Sequence, residues 1–267
     1  SAFSGGVNNR ASATYSVVGG GNVNLATASY ATVAGGFTGT ASGQYSFVGG
    51  GSTNTASNSQ AAVVGGLSNN ATGQGAAILG GTTNTASGTH AAVVGGNSCT
   101  ADGARSFISG YFATARGLES SQVHASGRFN VLGDAQSTRF VHRIQTTNAT
   151  ATAMSASGAA PAATSAVVLP DTSAYTFVAR VVARNNANGD CATFEVKGAI
   201  KRGANAAATA IVGTPTVTAL GADAGASAWT VAAVANTTLG SLEIQVTGAA
   251  STTIKWVASI WTTEVVG

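Results

Sequence analysis

Residues 15–51 have the sequence YSVVGGGNVNLATASYATVAGGFTGTASGQYSFVGGG, and its pattern returns every 15 residues. The last glycine of each Gly-Gly run marks the period. These marker glycines are Gly6, Gly21, Gly36, Gly51, Gly66, Gly81 and Gly96. The next marker, Gly110, comes one residue early, and the pattern then decays. An unbroken spacing of 15 over seven markers predicts a repeat architecture for residues 1–118.

The positions between the markers are equally regular. A bulky apolar residue, such as Val18 or Phe107, lies three before the marker, and a small one lies five before it. These two positions share one face of a short strand, and the glycines then turn the chain. Alanine always follows five after the marker, and Asn recurs three after it, at Asn9, Asn24, Asn54, Asn69 and Asn84. Each repeat is therefore predicted to be one coil of two strands and two turns in a parallel β-roll, because frequent glycine would destabilise a helix.

The core of such a roll is thin. One valine and one alanine in each coil bury little apolar area, so a single roll is marginally stable. The outward positions are mostly Ala, Ser, Thr and Gly, which allow another backbone to approach closely. We therefore expect the roll to assemble with copies of itself.

One outward position varies along the repeat, six residues before the marker. Its parity places it on the outer surface. A tyrosine ladder there could bind a glycan or protein receptor, or its stacked rings could stabilise the rod or lie at a subunit interface. The candidate residues for surface recognition or subunit contact are Tyr15, Tyr30, Tyr45, Gln60 and His90.

The units Tyr15-Ser-Val-Val-Gly-Gly-Gly21 and Tyr45-Ser-Phe-Val-Gly-Gly-Gly51, followed by Asn24-Leu-Ala26 and Asn54-Thr-Ala56, resemble the head repeats of trimeric autotransporter adhesins. Similar repeats occur in trimeric bacteriophage fibres. The resemblance covers residues 1–118 and implies a left-handed parallel β-roll. It also implies a homotrimer with three rolls around one axis.

The second half of the chain has different strand signals. We predict a neck over residues 119–136 and an antiparallel β-sandwich over residues 137–267. Tyr175, Phe177, Ala179 and Val181 alternate with exposed positions, and a turn over residues 185–190 indicates a hairpin. Further strands are predicted at 229–235, 242–246 and 254–265.

A second resemblance covers this half of the chain. It is carried by Gln145-Thr-Thr, Val168-Leu-Pro170, Tyr175-Thr-Phe-Val-Ala-Arg180, Ile200-Lys-Arg-Gly-Ala-Asn205 and Trp256-Val-Ala. Together these pieces resemble a C-terminal β-domain that recurs in phage tail proteins.

Composition and motifs exclude several classes. Charged residues make up only 8% of the chain and the net charge of +3 is scattered, so we predict no nucleic-acid partner. No apolar run reaches the ~20 residues of a membrane span, so we predict no membrane insertion. Nucleotide-loop, zinc-protease and hydrolase-elbow motifs are absent, and the three histidines lack ligand spacing, so no metal and no cofactor is expected. The two cysteines, Cys99 and Cys191, are predicted to be unpaired.

Acidic residues are the remaining candidates for catalysis. Asp190, Glu195 and Asp223 are the nearest carboxylates in the second half, and the repeat region holds only Asp102 and Glu119. Carboxylates in turns and on exposed strands are usually solvated. The sequence therefore predicts that the protein is not an enzyme.

These observations predict a homotrimeric bacteriophage virion protein on the outer surface of the particle, a tail fibre or spike for host attachment. Its partners would be copies of itself, other virion proteins and a host surface glycan or protein receptor. Two alternatives remain: a trimeric capsid decoration (cement or head spike) protein, and a bacterial adhesin head at the cell surface.

Overall fold

The computed structural model describes residues 2–267, which form two compact units. The first unit ends at Gly133 and is called the roll; the second, Asp134–Gly267, is called the sandwich. Strands dominate both units, and the described helices are two short 3-10 turns, Ala206–Ala208 and Ala224–Ala226. Within residues 2–267 no helix has the length and apolar character needed to cross a bilayer. The predicted all-β fold, a parallel roll followed by antiparallel sheets, is confirmed.

Two parallel sheets run along the roll, with one short strand in each per coil. The first sheet contains β1 (Ala2–Phe3), β3 (Val17–Val18), β5 (Thr32–Val33), β7 (Phe47–Val48), β9 (Ala62–Val63), β11 (Ala77–Ile78), β13 (Ala92–Asn97), β15 (Phe107–Tyr111) and β16 (Gln122–Ser126). The second contains β2 (Arg10–Ala11), β4 (Leu25–Ala26), β6 (Thr40–Ala41), β8 (Thr55–Ala56), β10 (Asn70–Ala71), β12 (Thr85–Ala86) and β14 (Thr100–Ala101). A third row of single parallel bridges joins the residues after the markers, for example Phe37 to Ser52.

Register in the roll follows the period of 15, so each residue lies on its equivalent in the next coil. Val33 pairs with Val48, and Ala41 with Ala56. The buried columns are the predicted valine and alanine positions. One prediction was wrong: Ile108, not Phe107, continues the valine column, because Ile108 pairs with Val93 and Phe107 is exposed. Val93 and Ile108 are still 15 residues apart, but Val94 has no equivalent in the next coil. Gly96 therefore pairs with Gly110, only 14 residues later, and the marker comes one residue early.

The recurring asparagines form a buried hydrogen-bond ladder, called here the asparagine ladder (Asn9, Asn24, Asn54, Asn69 and Asn84). The Asn69 Nδ2 donates to the carbonyls of Gly65 and Gly81, at 3.0 Å each. Its Oδ1 accepts from the backbone N–H of Asn84 at 3.0 Å. The side chain thus ties its own coil to the next and gives a partner to the Gly65 carbonyl and the Asn84 N–H, while the Gly81 carbonyl also accepts from the Leu67 N–H. Cys99 stands at the next position, and its N–H donates to Asn84 Oδ1 at 2.9 Å.

The marker glycines are required on two grounds. Gly66 has φ +95°, in the left-handed region where only glycine is unstrained. A Cβ on Gly66 would also lie 2.2 Å from the Gly81 carbonyl oxygen of the next coil. The neighbouring Gly65 has neither constraint, because nothing lies within 4 Å of its Cβ position.

The predicted neck, residues 119–136, includes regular structure. Strand β16 continues the first sheet of the roll, with Val123 beside Ile108. Strand β17 (Ala135–Thr146) begins in the last two residues of the predicted neck.

The sandwich contains two antiparallel sheets. The larger has the order β17, β25 (Ile254–Val266), β20 (Ser173–Asn185), β21 (Cys191–Arg202) and β22 (Thr209–Ala222). In the smaller, β24 (Ser241–Thr247) pairs with β23 (Thr230–Asn236) and with two short strands, β18 (Thr152–Ala153) and β19 (Val167–Val168). Strands β20, β21, β23, β24 and β25 agree with the predicted strands to within a few residues. Strands β17, β18, β19 and β22 were not predicted.

Alternating side chains of the larger sheet form the core of the sandwich. Phe177, Trp256 and Ile260 are buried, and the Trp256 and Trp229 rings lie 5.7 Å apart. His142 of β17 is also buried, and this burial lowers its pKa to about 4, against a small opposing effect of the Met154 backbone. The opposite face of the larger sheet is exposed and carries the groove described below.

Candidate functional site

The variable outward position forms a continuous row along one corner of the roll, called here the corner column. It consists of Tyr15, Tyr30, Tyr45, Gln60, Gly75, His90, Arg105 and Ser120, all at φ between +55° and +63°. A left-handed backbone conformation is unusual for residues other than glycine. Hydrogen bonds between coils hold it: Tyr30 N donates to Thr14 O at 3.0 Å, and His90 N to Gln74 O at 2.8 Å.

The structure brings all five predicted recognition residues into this column. Tyr15, Tyr30 and Tyr45 are exposed and stack on one another, with ring centroids 5.0 and 4.9 Å apart. Stacked rings cover each other's faces, so the column offers a ligand mainly ring edges and hydroxyl groups. Gln60 and His90 are exposed, and the His90 ring occupies the space where a Cβ on Gly75 would lie.

Two members of the column, Arg105 and Ser120, were missed. The prediction ended at His90; beyond it the column lies five residues before the displaced marker Gly110 rather than six. Counting forward by 15 from His90 finds both. Arg105 forms an ion pair with Glu119, and its Nε donates to Ser120 Oγ at 3.4 Å.

The outer face of the first sheet of the roll is apolar. Its exposed side chains include Val17, Phe47, Val64, Leu79, Val94 and Phe107. The predicted preference for small outward residues therefore does not hold on this face. The outward positions of the second sheet are instead mostly threonine and serine, such as Thr40, Ser42 and Thr55.

A groove of about 530 Å³ lies on the exposed face of the larger sandwich sheet. This sandwich groove is lined by Arg139, Val178, Arg180, Ser259 and Trp261. Three adjacent strands position these side chains: Trp261 of β25 pairs with Arg139 of β17 on one side and Val178 of β20 on the other. Arg180 pairs with Ser259 in the neighbouring row. The antiparallel register therefore assembles the groove from distant parts of the chain.

The charged side chains that line the groove, Arg139 and Arg180, are both positive. Arg139 Nε donates to Ser259 Oγ at 3.2 Å, and its guanidinium lies 5.5 Å from the centre of the Trp261 ring. Arg180 and Lys197 both bind Glu195, at 3.2 and 2.6 Å. In the part of the chain that the structure describes, no carboxylate forms an ion pair with Arg139. Two guanidinium groups thus line the groove, and beside it Glu195 is shared between Arg180 and Lys197.

The carboxylates considered for catalysis are engaged in local bonds. Hydrogen bonds from Lys197 and then Arg180 lower the pKa of Glu195, so it stays ionised and is poorly suited to donate a proton. Asp223 accepts from the backbone N–H of Cys191 at 2.9 Å, and Asn188 donates to Asp190 at 2.7 Å. Among the described residues no group of three or more metal-ligating side chains occurs.

Both cysteines are free, as predicted. Cys99 is buried in the roll, and its burial raises the pKa of its thiol. The neighbouring Asp223 raises the pKa of the Cys191 thiol, chiefly through a side-chain hydrogen bond, which makes Cys191 a weak nucleophile.

Comparison with known proteins finds neither a family model nor a curated protein that matches the chain. Among solved structures, it is similar to the tailspike protein gp49 of Acinetobacter baumannii bacteriophage Fri1 (7% identity, TM-score 0.28, covering 94% of this chain and 48% of that one). The tailspike of Acinetobacter baumannii phage AM24 is similar to the same degree (10%, TM-score 0.27, 94% and 48%). So is that of Acinetobacter phage vB_ApiP_P1 (9%, TM-score 0.24, 94% and 56%). The chain spans about half the length of these tailspikes.

One expectation is corrected by this comparison. The sequence predicted that the protein is not an enzyme, but the Fri1 tailspike is described as a capsular polysaccharide depolymerase. The prediction had relied on the scarcity of carboxylates along the roll and on the expectation that Asp190, Glu195 and Asp223 of the second half are merely solvated.

Proposed function

We propose that this chain is a bacteriophage virion protein, a homotrimeric tail fibre or tail spike that attaches the particle to the host surface. The corner column is the observation that carries the proposal. Its side chains differ in chemistry from coil to coil, most of them are exposed, and hydrogen bonds between coils hold their backbone in one conformation. Variable side chains on a rigid repeating scaffold are the arrangement by which loops and rods recognise partners.

Exposed apolar surface supports assembly with copies of the same chain. The outer face of the first sheet presents Phe47, Val64 and Leu79 to solvent in a single copy. In the sandwich, the edge strand β22 exposes Val212, Val217 and Leu220. Contiguous apolar patches and long exposed edges are usually covered by a partner. A trimer that buries both would also compensate for the thin core of each roll.

Attachment is tested with labelled protein on host cells. The double variant Tyr30→Ser, Tyr45→Ser removes two rings of the corner column, and we expect it to bind cells at least about tenfold more weakly because two aromatic anchors are lost. The matched control Thr27→Ala, Ser42→Ala changes exposed residues that directly follow strands β4 and β6 in the same region of the roll, and it should bind normally. Equal binding of both variants would remove the column from attachment.

The virion assignment is tested by copy number. A fibre or spike is present in tens of copies or fewer per particle, and a decoration protein in hundreds. Quantification against the major capsid protein separates the two.

Light scattering tests the oligomeric state, since a monomer at micromolar concentration would contradict the trimer. Incubation with host surface polysaccharide, followed by analysis for released oligosaccharide, tests whether attachment is accompanied by cleavage.

A further inference from the structure

We infer that the sandwich groove is a binding site for a carboxylate-bearing sugar. This inference rests on the proposed attachment function and names the chemical class of one ligand. It depends on three properties of the groove: an exposed indole, guanidinium groups on both sides of it, and a hydroxyl between them.

Trp261 provides the surface for the sugar ring. Trp261 is 57% exposed, whereas Trp229 and Trp256 are buried. Val178 lies beside it in the register and extends the apolar surface. The C–H groups of a pyranose ring pack against such a surface, and an exposed tryptophan at a site of polar groups is a common anchor for recognition.

Arg139 provides the charge selection. It contributes one hydrogen bond to Ser259, which orients the guanidinium, and its remaining N–H groups are available for a ligand. Arginine binds a carboxylate through two parallel hydrogen bonds, which are shorter and stronger than neutral ones. Arg180 adds a second guanidinium that Glu195 contacts through Nε.

The size and charge of the groove fit this ligand. Its volume of about 530 Å³ lies in the ~300–1,000 Å³ range of small-molecule sites. Arg139, Arg180 and Lys197 carry three positive charges against the one negative charge of Glu195. A neutral sugar would leave Arg139 without a charged partner, so an acidic sugar is the complementary occupant.

The experiment uses the whole chain with glucuronate, galacturonate and N-acetylneuraminate, and with glucose and galactose as neutral probes. Acrylamide quenching of tryptophan fluorescence reports occupancy, because Trp261 is the exposed indole and the other two are buried. We expect at least one acidic sugar to protect Trp261 and to bind at least about tenfold more tightly than the neutral probes. Added salt should weaken this binding.

Variants locate the site. Arg139→Gln should weaken binding of the acidic sugar about tenfold and leave the neutral probes unchanged, and Arg139→Lys should recover part of the loss. Arg184→Gln is the matched control, because Arg184 is an exposed arginine of β20 on the same face but outside the groove. Trp261→Ala should abolish the protection signal; binding by calorimetry should fall with it.

Several results would overturn the inference. Equal affinity for neutral and acidic sugars would remove the charge selection, and absence of protection by any acidic sugar would remove the site. A change in oligomeric state on Trp261→Ala, without any sugar binding by the parent chain, would make the groove a contact between copies. These results leave the attachment proposal standing as long as the labelled chain binds host cells; failure of cell binding is the outcome that contradicts attachment itself.

Discussion

The roll and the sandwich both consist of β-strands, but different interactions stabilise the two units. In the roll, each coil contributes small side chains, and stability comes from registered backbone hydrogen bonds and the asparagine ladder. In the sandwich, large and varied side chains such as Phe177, Trp256 and Ile260 interlock between two sheets. In the roll, a substitution affects the coils on both sides, because each side chain contacts its equivalents in the preceding and the following coil. In the sandwich, a substitution affects only the side chains that pack around it.

The largest effect is expected from a marker glycine. Gly66→Ala places a Cβ at φ +95° and 2.2 Å from the Gly81 carbonyl oxygen, so strain and overlap combine. We expect a loss of about 5 kcal/mol in the free energy of unfolding of the roll. Hydrogen exchange of peptides from residues 47–96 measures it, since all three tryptophans lie in the sandwich. Gly65→Ala, one residue away in open space, is the control and should change stability by less than about 1 kcal/mol. Equal effects of both substitutions would contradict the close-approach argument.

A smaller loss is expected from the asparagine ladder. Asn69→Ala removes two donated and two accepted bonds and leaves the Gly65 carbonyl and the Asn84 N–H without that partner, whereas the Gly81 carbonyl still accepts from the Leu67 N–H. At ~1–3 kcal/mol for each unsatisfied group, partly relieved by water, we expect a loss of about 4 kcal/mol. The same exchange measurement on the coils around residue 69 checks it. Asn58→Ala removes an exposed asparagine and should cost less than about 1 kcal/mol; a similar cost for both would show that the ladder adds nothing to the roll.

The difference between the repetitive roll and the non-repetitive sandwich also decides how much of each unit could be predicted from the sequence. A period of 15 repeats each position several times, so the valine, alanine and glycine columns could be assigned without a structure. The role of the asparagines could not, because their partners are backbone groups that sequence does not display. Ile108 was misassigned only because the marker Gly110 is displaced by one residue, and the corner column was predicted only as far as His90.

Prediction was weaker in the sandwich for physical reasons. Strand β17 faces the core with Gln136, Thr138 and His142, so its alternation of apolar and polar residues is obscured. Strand β22 carries Gly213 and Pro215 and is exposed on most of its length, as suits an edge. The groove was invisible because Arg139, Val178 and Trp261 meet only through antiparallel pairing.

The smallest of the three effects is a pH dependence confined to the sandwich. The pKa of His142 is about 4 in the folded state, below the 6.5 of an unperturbed histidine, so its neutral form is preferred in the fold. Above pH 6.5 the group is neutral in both states and has no effect. As the pH falls from 6.5 to 4, only the unfolded chain takes up the proton, and the free energy of unfolding decreases by about 1.4 kcal/mol per pH unit, to a total of about 3 kcal/mol.

Urea unfolding followed by tryptophan fluorescence measures this decrease, because Trp229 and Trp256 are buried in the same unit. His142→Leu replaces the imidazole with an apolar side chain and should flatten the profile between pH 6.5 and 4. His124→Asn changes an exposed histidine of the roll and should leave the slope intact. If His142→Leu keeps the full slope, the acid sensitivity belongs to other groups. The carboxylates are the next to examine, with Glu195 first, since the cations beside it hold its pKa below the usual value and its contribution is lost only at lower pH.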